Sequence, residues 1–383
     1  MKRTSTIAVR CGVACTLLLG CAGPRAGEPA RAAGPPGSVI SAAPMAAPSG
    51  ASAWRIRYVS TGLDGKQIEV TGVVIAPNSQ SKSKPVIGYA HGTLGIAKSC
   101  APSTRDPKFK YITGLREMIA HGFVIAATDY PGLGSTGPHP YLVGISEGRA
   151  VLDSVRAARR ITGPSASARF IPWGYSQGGH AALFAGQLAR SYAPELQMAG
   201  IAAGAPPTDL HETMRFHIGQ NQNRLLAAYL LSSWSSVYHL PLEQLIDKRA
   251  ALAVRLAARS CLGTTADTVL AILHNAHLGT KFLNERMHKN PAWNRRFTEN
   301  SPAVVKGAAY FVAQGLTDTI VPPNDTTAYV KRACLNGNRV AYARFPGLGH
   351  IAADADAAKS AAVWIAARFK GSPAASDCAA SAR

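Results

Sequence analysis

The chain has 383 residues, 47% apolar and 16% charged, and its 41 Lys and Arg against 21 Asp and Glu give a formal charge of +20. That is room for one large α/β domain with insertions, or for two domains, with ample apolar content for a core. Such a charge attracts nucleic acid or anionic membrane. No dense Lys/Arg run is interleaved with aromatics, which argues against a nucleic-acid binder and for a basic surface near anionic lipid.

At the N-terminus, Lys2, Arg3 and Arg10 accompany the apolar run Cys11–Gly20. The run is too short to span a membrane and reads as an export signal over residues 1–20. Leu18-Leu19-Gly20-Cys21 has the form of a bacterial lipoprotein signal, with Cys21 as the lipidated first mature residue. Ala22 stands where an acidic inner-membrane retention signal would be. The alternative is an ordinary signal cut a few residues later. Loss of residues 1–20 removes three cations and takes the charge from +20 to +17. From Ala22 to Ala53, 26 of 32 residues are Ala, Gly, Pro or Ser, so 21–53 is expected to be a disordered tether.

Folding is expected from Trp54. Trp54–Ser60 and Gln67–Ala76 read as antiparallel strands joined by the Gly62–Gly65 turn. Pro85–Ala90 reads as a central strand, followed by a helix near Ile112–Ala120 and a strand at Phe123–Thr128. Gly144–Ile161 has helical periodicity, with Val151, Leu152 and Val155 on one face and Arg156, Arg159 and Arg160 on the other. Arg169–Trp173 reads as a strand, Gln177 to Arg190 as a small-residue helix, and Met198–Ala203 as a strand. The alternation implies right-handed crossovers and a mostly parallel sheet. It breaks over 205–302, where Leu225–Trp234, Leu242–Leu256 and Thr268–Leu278 look helical. That stretch is expected to be a cap over the strand C-termini, between core pieces 54–204 and 303–383. Strand, helix, strand and closing helix resume at Gly307–Gln314, Asn324–Arg332, Arg339–Phe345 and Ile351–Phe369. Beyond Cys21 four cysteines remain, Cys100, Cys261, Cys334 and Cys378. In an exported chain they suggest two disulfides, with three connectivities open. No Cys-x-x-Cys or zinc-like spacing occurs.

Chemistry concentrates at Gly174-Tyr175-Ser176-Gln177-Gly178. Strand, sharp turn and helix is the setting in which a turn serine becomes a nucleophile. A serine hydroxyl needs a histidine to take its proton, and that histidine needs a carboxylate to hold its tautomer. Asp318 and His350 follow the serine in that order, each on a loop directly after a strand. Ser176, His350 and Asp318 are therefore the expected nucleophile, base and orienting acid. Among rival acids, Asp325 falls in the next helix, and Asp354 and Asp356 come after the histidine. His180, one turn after Ser176, reads as structural. An oxyanion hole needs two donors; the Gln177 N–H and the Thr93 N–H of His91-Gly92-Thr93 are expected, with His91 bracing the loop. Asp129 to Gly137 is Gly-rich but lacks the Gly-Lys-Ser/Thr of a phosphate cradle. It reads as a pocket rim, held by Asp129 through hydrogen bonds to backbone N–H groups.

Together these residues resemble the secretory lipase family of α/β hydrolases, the family that includes fungal lipase A. The matching pieces are Tyr89–Thr93, Cys100–Ser103, Thr128–Gly134, Gly174–Gly179, Asp318 and His350, and they span Trp54 to Cys378. The resemblance implies an α/β-hydrolase fold, hydrolysis of acyl esters, a helical cap shaping an acyl tunnel, and no metal or organic cofactor. It also implies the disulfides Cys100–Cys261 and Cys334–Cys378. The lipoprotein-like N-terminus departs from the family, as does Thr93, where some fungal relatives have an acidic residue. The expected protein is a monomeric serine ester hydrolase, lipase or carboxylesterase, exported and lipid-anchored at the outer membrane or secreted. A prolyl-peptidase-type serine peptidase and a non-catalytic envelope lipoprotein are the alternatives. The absence of a propeller domain and the intact triad argue against them.

Overall fold

A computed structural model describes residues 34–381, apart from 80, 82, 107, 221–222, 247–249 and 279–289. The export signal, Cys21 and the start of the expected tether lie outside the described residues. The rest of that stretch is not a tether. Its β1 (Val39–Met45) runs antiparallel to β2 (Ala51–Thr61), with Met45 opposite Ala53. Composition misleads here because an edge strand needs only a partner's backbone, and most side chains of β1 stay exposed.

β2 pairs with β3 (Gln67–Pro77) around the expected turn. Then come β4 (Lys84–Ala90), β5 (Val124–Thr128), β6 (Ala166–Tyr175), β7 (Gln197–Met198), β8 (Ile201–Gly204), β9 (Ala309–Gly315) and β10 (Arg339–Phe345). Among the described residues they form one sheet ordered β1-β2-β3-β5-β4-β6-β8-β9-β10, with β7 beside β6. The pairings β5–β4–β6–β8–β9–β10 are all parallel. The strand expected at 198–203 is broken between β7 and β8.

The helices are α1 (Pro102–Arg105), α2 (Leu115–Ala120), α3 (Gly144–Thr162) and α4 (Gln177–Tyr192) before β8, and α10 (Pro323–Leu335), α11 (His350–Phe369) and α12 (Cys378–Ser381) after β9. Neighbouring residues of each central strand serve opposite faces. Val86, Val124 and Phe170 pack with α3 and α4, while Ile87, Ile125 and Ile171 pack with α2 and α11. Burial on both faces is why these strands read as unbroken apolar runs.

Between β8 and β9 lie α5 (Leu210–Gly219), α6 (Arg224–Tyr238), α7 (Ala250–Ala257), α8 (Thr265–Leu278) and α9 (Pro291–Glu299), with no strand among the described residues. Asp209 caps α5 by accepting the His211 and Glu212 N–H groups, and Asn290 caps α9 ahead of Pro291. These helices pack around Leu231, Trp234, Trp293 and Phe297, in a cluster that also takes in Tyr141, Leu142 and Val143 ahead of α3. The helix expected at 242–256 is a short turn at Leu242–Gln244 and the shorter α7. Among the described residues no helix is long and apolar enough to cross a membrane.

Two disulfides are present. Cys100–Cys261 spans 161 residues and joins the segment after β4 to the α7–α8 connection, and Cys334–Cys378 spans 44 and joins α10 to α12. Closing the longer loop constrains the unfolded chain more. Cys100→Ser with Cys261→Ser is expected to cost about 2–5 kcal/mol, more than the matching Cys334/Cys378 pair; thermal melts of the two variants check this.

Candidate active site

Ser176 sits between β6 and α4 at φ 59° and ψ −122°, in a region most side chains avoid. Hydrogen bonds hold it there: its N–H donates to the Gly204 carbonyl at 2.8 Å, and its own carbonyl accepts from the His180 N–H at 3.1 Å. The flanking glycines are steric requirements. A Cβ on Gly178 would lie 1.9 Å from the Ala90 carbonyl oxygen, and one on Gly174 would lie 2.4 Å from that oxygen. The end of β4 and the first turn of α4 touch through backbone alone.

Asp318 and His350 stand after β9 and β10 and meet. The His350 Nδ1–H donates to Asp318 Oδ2 at 2.6 Å. The other carboxylate oxygen accepts the N–H groups of Ile320 and Val321 at 2.8 and 2.9 Å, and Gln314 Nε2 donates to Oδ2 at 3.0 Å. His350 opens α11, and its carbonyl accepts the Tyr175 hydroxyl at 2.7 Å. The residue before the serine thus also fixes the histidine.

On the β4 loop, Gly92 lies against the elbow: a Cβ there would be 3.9 Å from that of Ser176. Thr93 Oγ1 hydrogen-bonds the Tyr141 hydroxyl at 2.9 Å. His91 faces the carbonyls of Gly92 and Asp129, and its own carbonyl accepts the Tyr130 hydroxyl. Asp129 holds a different segment from the one expected. It accepts the Ser103 N–H and hydroxyl and the Thr71 hydroxyl, so it anchors the start of α1 rather than its own Gly-rich loop. Burial pushes the Asp129 carboxyl up and the His91 imidazole down.

Behind the elbow lies a buried network that the sequence did not announce. The Gln177 side chain donates to Glu147 Oε1 at 2.7 Å and to His139 Nε2 at 3.2 Å. His139 Nδ1–H donates to the Pro131 carbonyl at 2.9 Å. His180 Nδ1 faces Glu147 Oε2 at 3.0 Å, and its Nε2–H donates to the Asn300 carbonyl at 2.7 Å. Glu147, Gln177 and Asn300 lie in three different elements, so no local pattern links them. His217 of α5 was also unmarked. Its Nε2–H donates to the Ile320 carbonyl at 2.8 Å, directly behind the Asp318 loop. Burial pulls His139 and His217 down to about 4.

Ser176, His350, His91, Gly92 and Thr93 all line one cavity of about 630 Å³. Leu226 of α6 lines it too, whereas Leu225, Leu230, Leu231 and Trp234 are buried in the core of the inserted helices. Asp354, considered above only as a rival acid, lines the cavity one turn after His350. Among the described residues no three His, Cys, Asp or Glu side chains converge on a metal-sized site.

A mostly parallel sheet flanked by helices, with these groups at its strand C-termini, defines an α/β hydrolase of the lipase and esterase class. A model of the secretory lipase family matches residues 111–377. The chain belongs to that family. It is 23% identical over 332 residues to Lipase A of Moesziomyces aphidis, covering 79% of this chain and 69% of that protein. Lipase 1 of Candida albicans is 27% identical over 353 residues, covering 85% and 74%. The crystal structure of Candida antarctica lipase A in its closed state superposes with a TM-score of 0.74 at 19% identity, covering 88% of this chain and 84% of that one.

Gly178→Ala should abolish soluble expression or cost several kcal/mol, because the clash is with backbone that cannot turn aside; a melt or solubility assay decides. Acid should also remove what two buried neutral histidines contribute. His139 and His217 titrate near 4 when folded and near 6.5 when unfolded, so the unfolded chain binds more protons between those values. Their contribution is intact above pH 6.5 and drains away as pH falls toward 4. The melting temperature of wild type relative to that of His217→Gln should fall as pH drops through that window.

Proposed function

We propose that this chain cleaves acyl esters through Ser176, His350 and Asp318. His350 takes the Ser176 proton as the serine oxygen attacks the ester carbonyl, and the oxyanion is met by the N–H groups of Gln177 and Thr93. Collapse breaks the bond to the alcohol, which leaves with the proton from His350 and leaves an acyl-serine. A water then gives its proton to His350, attacks the acyl carbon, and the acid departs as Ser176 regains its proton. The observation that carries this reading is the 2.6 Å contact of Asp318 with His350, whose side chain shares a cavity with Ser176.

The α5–α9 insertion serves as the cap, and its Leu226 gives the acyl chain an apolar wall. An apolar surface on that insertion favours lipase action: Leu252 is 67% exposed, Ile272 63% and Val269 53%. Lipase A of Moesziomyces aphidis and Lipase 1 of Candida albicans, named for that activity, agree in class. The chain is an exported monomer, held to the outer membrane by lipid on Cys21. Mass spectrometry of the mature N-terminus tests the anchor.

Ser176→Ala should lower kcat on p-nitrophenyl esters by about 10⁶ and abolish labelling by a fluorophosphonate. Wild-type activity in that variant would overturn the mechanism. An ester series from acetate to long acyl, with and without an emulsion, should show higher rates at the interface.

A further inference from the structure

The end of the sheet opposite the cavity is strongly basic. Arg169 lies near the start of β6, and Ala309 opens β9 beside it. β6 then runs to Tyr175, next to Ser176, so about 20 Å of strand separates Arg169 from the nucleophile. Two hollows of about 870 and 530 Å³ share Gly307, Ala308, Ala309, Arg368 and Gly371, and form one groove under the strand starts. Arg169, Arg190, Lys306, Arg339 and Arg368 line it, and among the described residues no Asp or Glu does.

Three of these cations are fixed by backbone carbonyls. Arg169 donates to the Phe369 carbonyl at 2.9 Å and to the Arg368 carbonyl at 3.3 Å, at the end of α11. Arg368 donates to the carbonyls of Ala199, at 3.4 Å, and of Ser372. Arg339 donates to the Ala374 carbonyl at 2.6 Å. Such bonds use some of the five N–H groups of a guanidinium and none of its charge. Arg190, in the last turn of α4, and Lys306 are exposed. Glu195, between the lining residues Pro194 and Leu196, is taken by Arg156 at 2.6 Å and does not offset the groove.

The same lining decides which anion fits. A single phosphate is typically cradled by N–H groups at a helix N-terminus. Here α4 and α11 end at the groove, and helix C-terminal carbonyls repel an anion. Single-stranded nucleic acid stacks on aromatic rings, and among the described residues none lines the groove. Spread cations without a cradle suit a surface of many anionic headgroups, to which each cation adds a little. The chain also joins the fold on this side: Gly37 packs on Arg156, the partner of Glu195.

We propose that this groove docks the protein on an anionic membrane, with the cavity of Ser176 turned away from that membrane. The enzyme then takes its ester from the far side and not from the lipid on which it rests. The orientation rests on the reading of Ser176 as the nucleophile. A lipid on Cys21 draws down the same side of the fold, but the docking does not need it.

The test uses the mature chain, residues 21–383, carrying Cys21→Ser so that no lipid anchor contributes. It should co-sediment with phosphatidylcholine vesicles only when they contain phosphatidylglycerol. Arg190→Glu with Lys306→Glu should weaken binding about thirtyfold or more, what two cations contribute at an anionic surface. That variant should keep the wild-type rate on a soluble p-nitrophenyl ester, which shows that it folds. Lys108→Glu with Lys110→Glu makes the same change of charge on exposed residues that line the cavity, and should leave binding nearly unchanged. Vesicle-bound enzyme should cleave the soluble ester as fast as free enzyme. No binding to phosphatidylglycerol, or equal losses in the two variants, overturns the groove. A larger loss in the cavity variant, or vesicle-bound enzyme silent on the soluble ester, overturns the orientation. An enzyme inert on the ester without vesicles overturns the Ser176 reading, and the sedimentation result then stands by itself.

Discussion

Ser176 holds a backbone conformation that isolated peptides avoid, and the surrounding backbone makes this possible. The Ala90 carbonyl lies where a Cβ of Gly174 or Gly178 would be, so β4, β6 and α4 converge with no side chain between them. That convergence brings the loop carrying Gly92 and Thr93 to the rim of the cavity that Ser176 lines. Strain of this kind costs about 1–3 kcal/mol and persists only where neighbours over-determine it. Here the neighbours are two strands buried on both faces and the first turn of α4.

The buried polar groups behind the elbow follow from the same constraint. A helix start pressed into a sheet carries polar atoms into the interior, and each needs a partner. Glu147 supplies two acceptors, one for Gln177 and one for His180, and also accepts the Leu142 N–H at 3.0 Å. His139 is neutral, which lets its Nε2 accept from Gln177 while its Nδ1–H serves Pro131. The network ties α3, α4 and the end of α9 to the residue after the serine. The residue that follows Ser176 is therefore fixed by side chains distant from it in the chain.

Much of this was legible in the sequence because each expected site residue lies within a few residues of the end of an apolar strand. Ser176, Asp318 and His350 follow the ends of β6, β9 and β10, and each has a glycine within three residues before it. What was hidden depends on long-range packing. Glu147 and His180 lie 33 residues apart, and nothing near either one marks the pair. Asp354 sits in a helix whose small-residue pattern resembles plain surface, and only the position of His350 turns it into the cavity. β1 was hidden for a different reason, since Ala, Pro and Ser are poor strand formers and backbone pairing at an edge overrides them.

The inserted helices do more than line the cavity, because they also hold the loop of Asp318. Asp318 is gripped by the Ile320 N–H, while the Ile320 carbonyl accepts from His217 of α5. Asn223, at the start of α6, donates to the Thr319 carbonyl, and Thr208, ahead of α5, donates to that of Asp325. The loop thus presents the Ile320 and Val321 N–H groups toward the carboxylate and the Thr319 and Ile320 carbonyls toward the insertion. Movement of α5 and α6 therefore cannot be independent of the Asp318–His350 contact. Displacing them breaks hydrogen bonds to a loop whose other side orients the histidine. The same helices carry Leu226 on the cavity wall, so one insertion both lines the cavity and is bonded to the loop that holds Asp318.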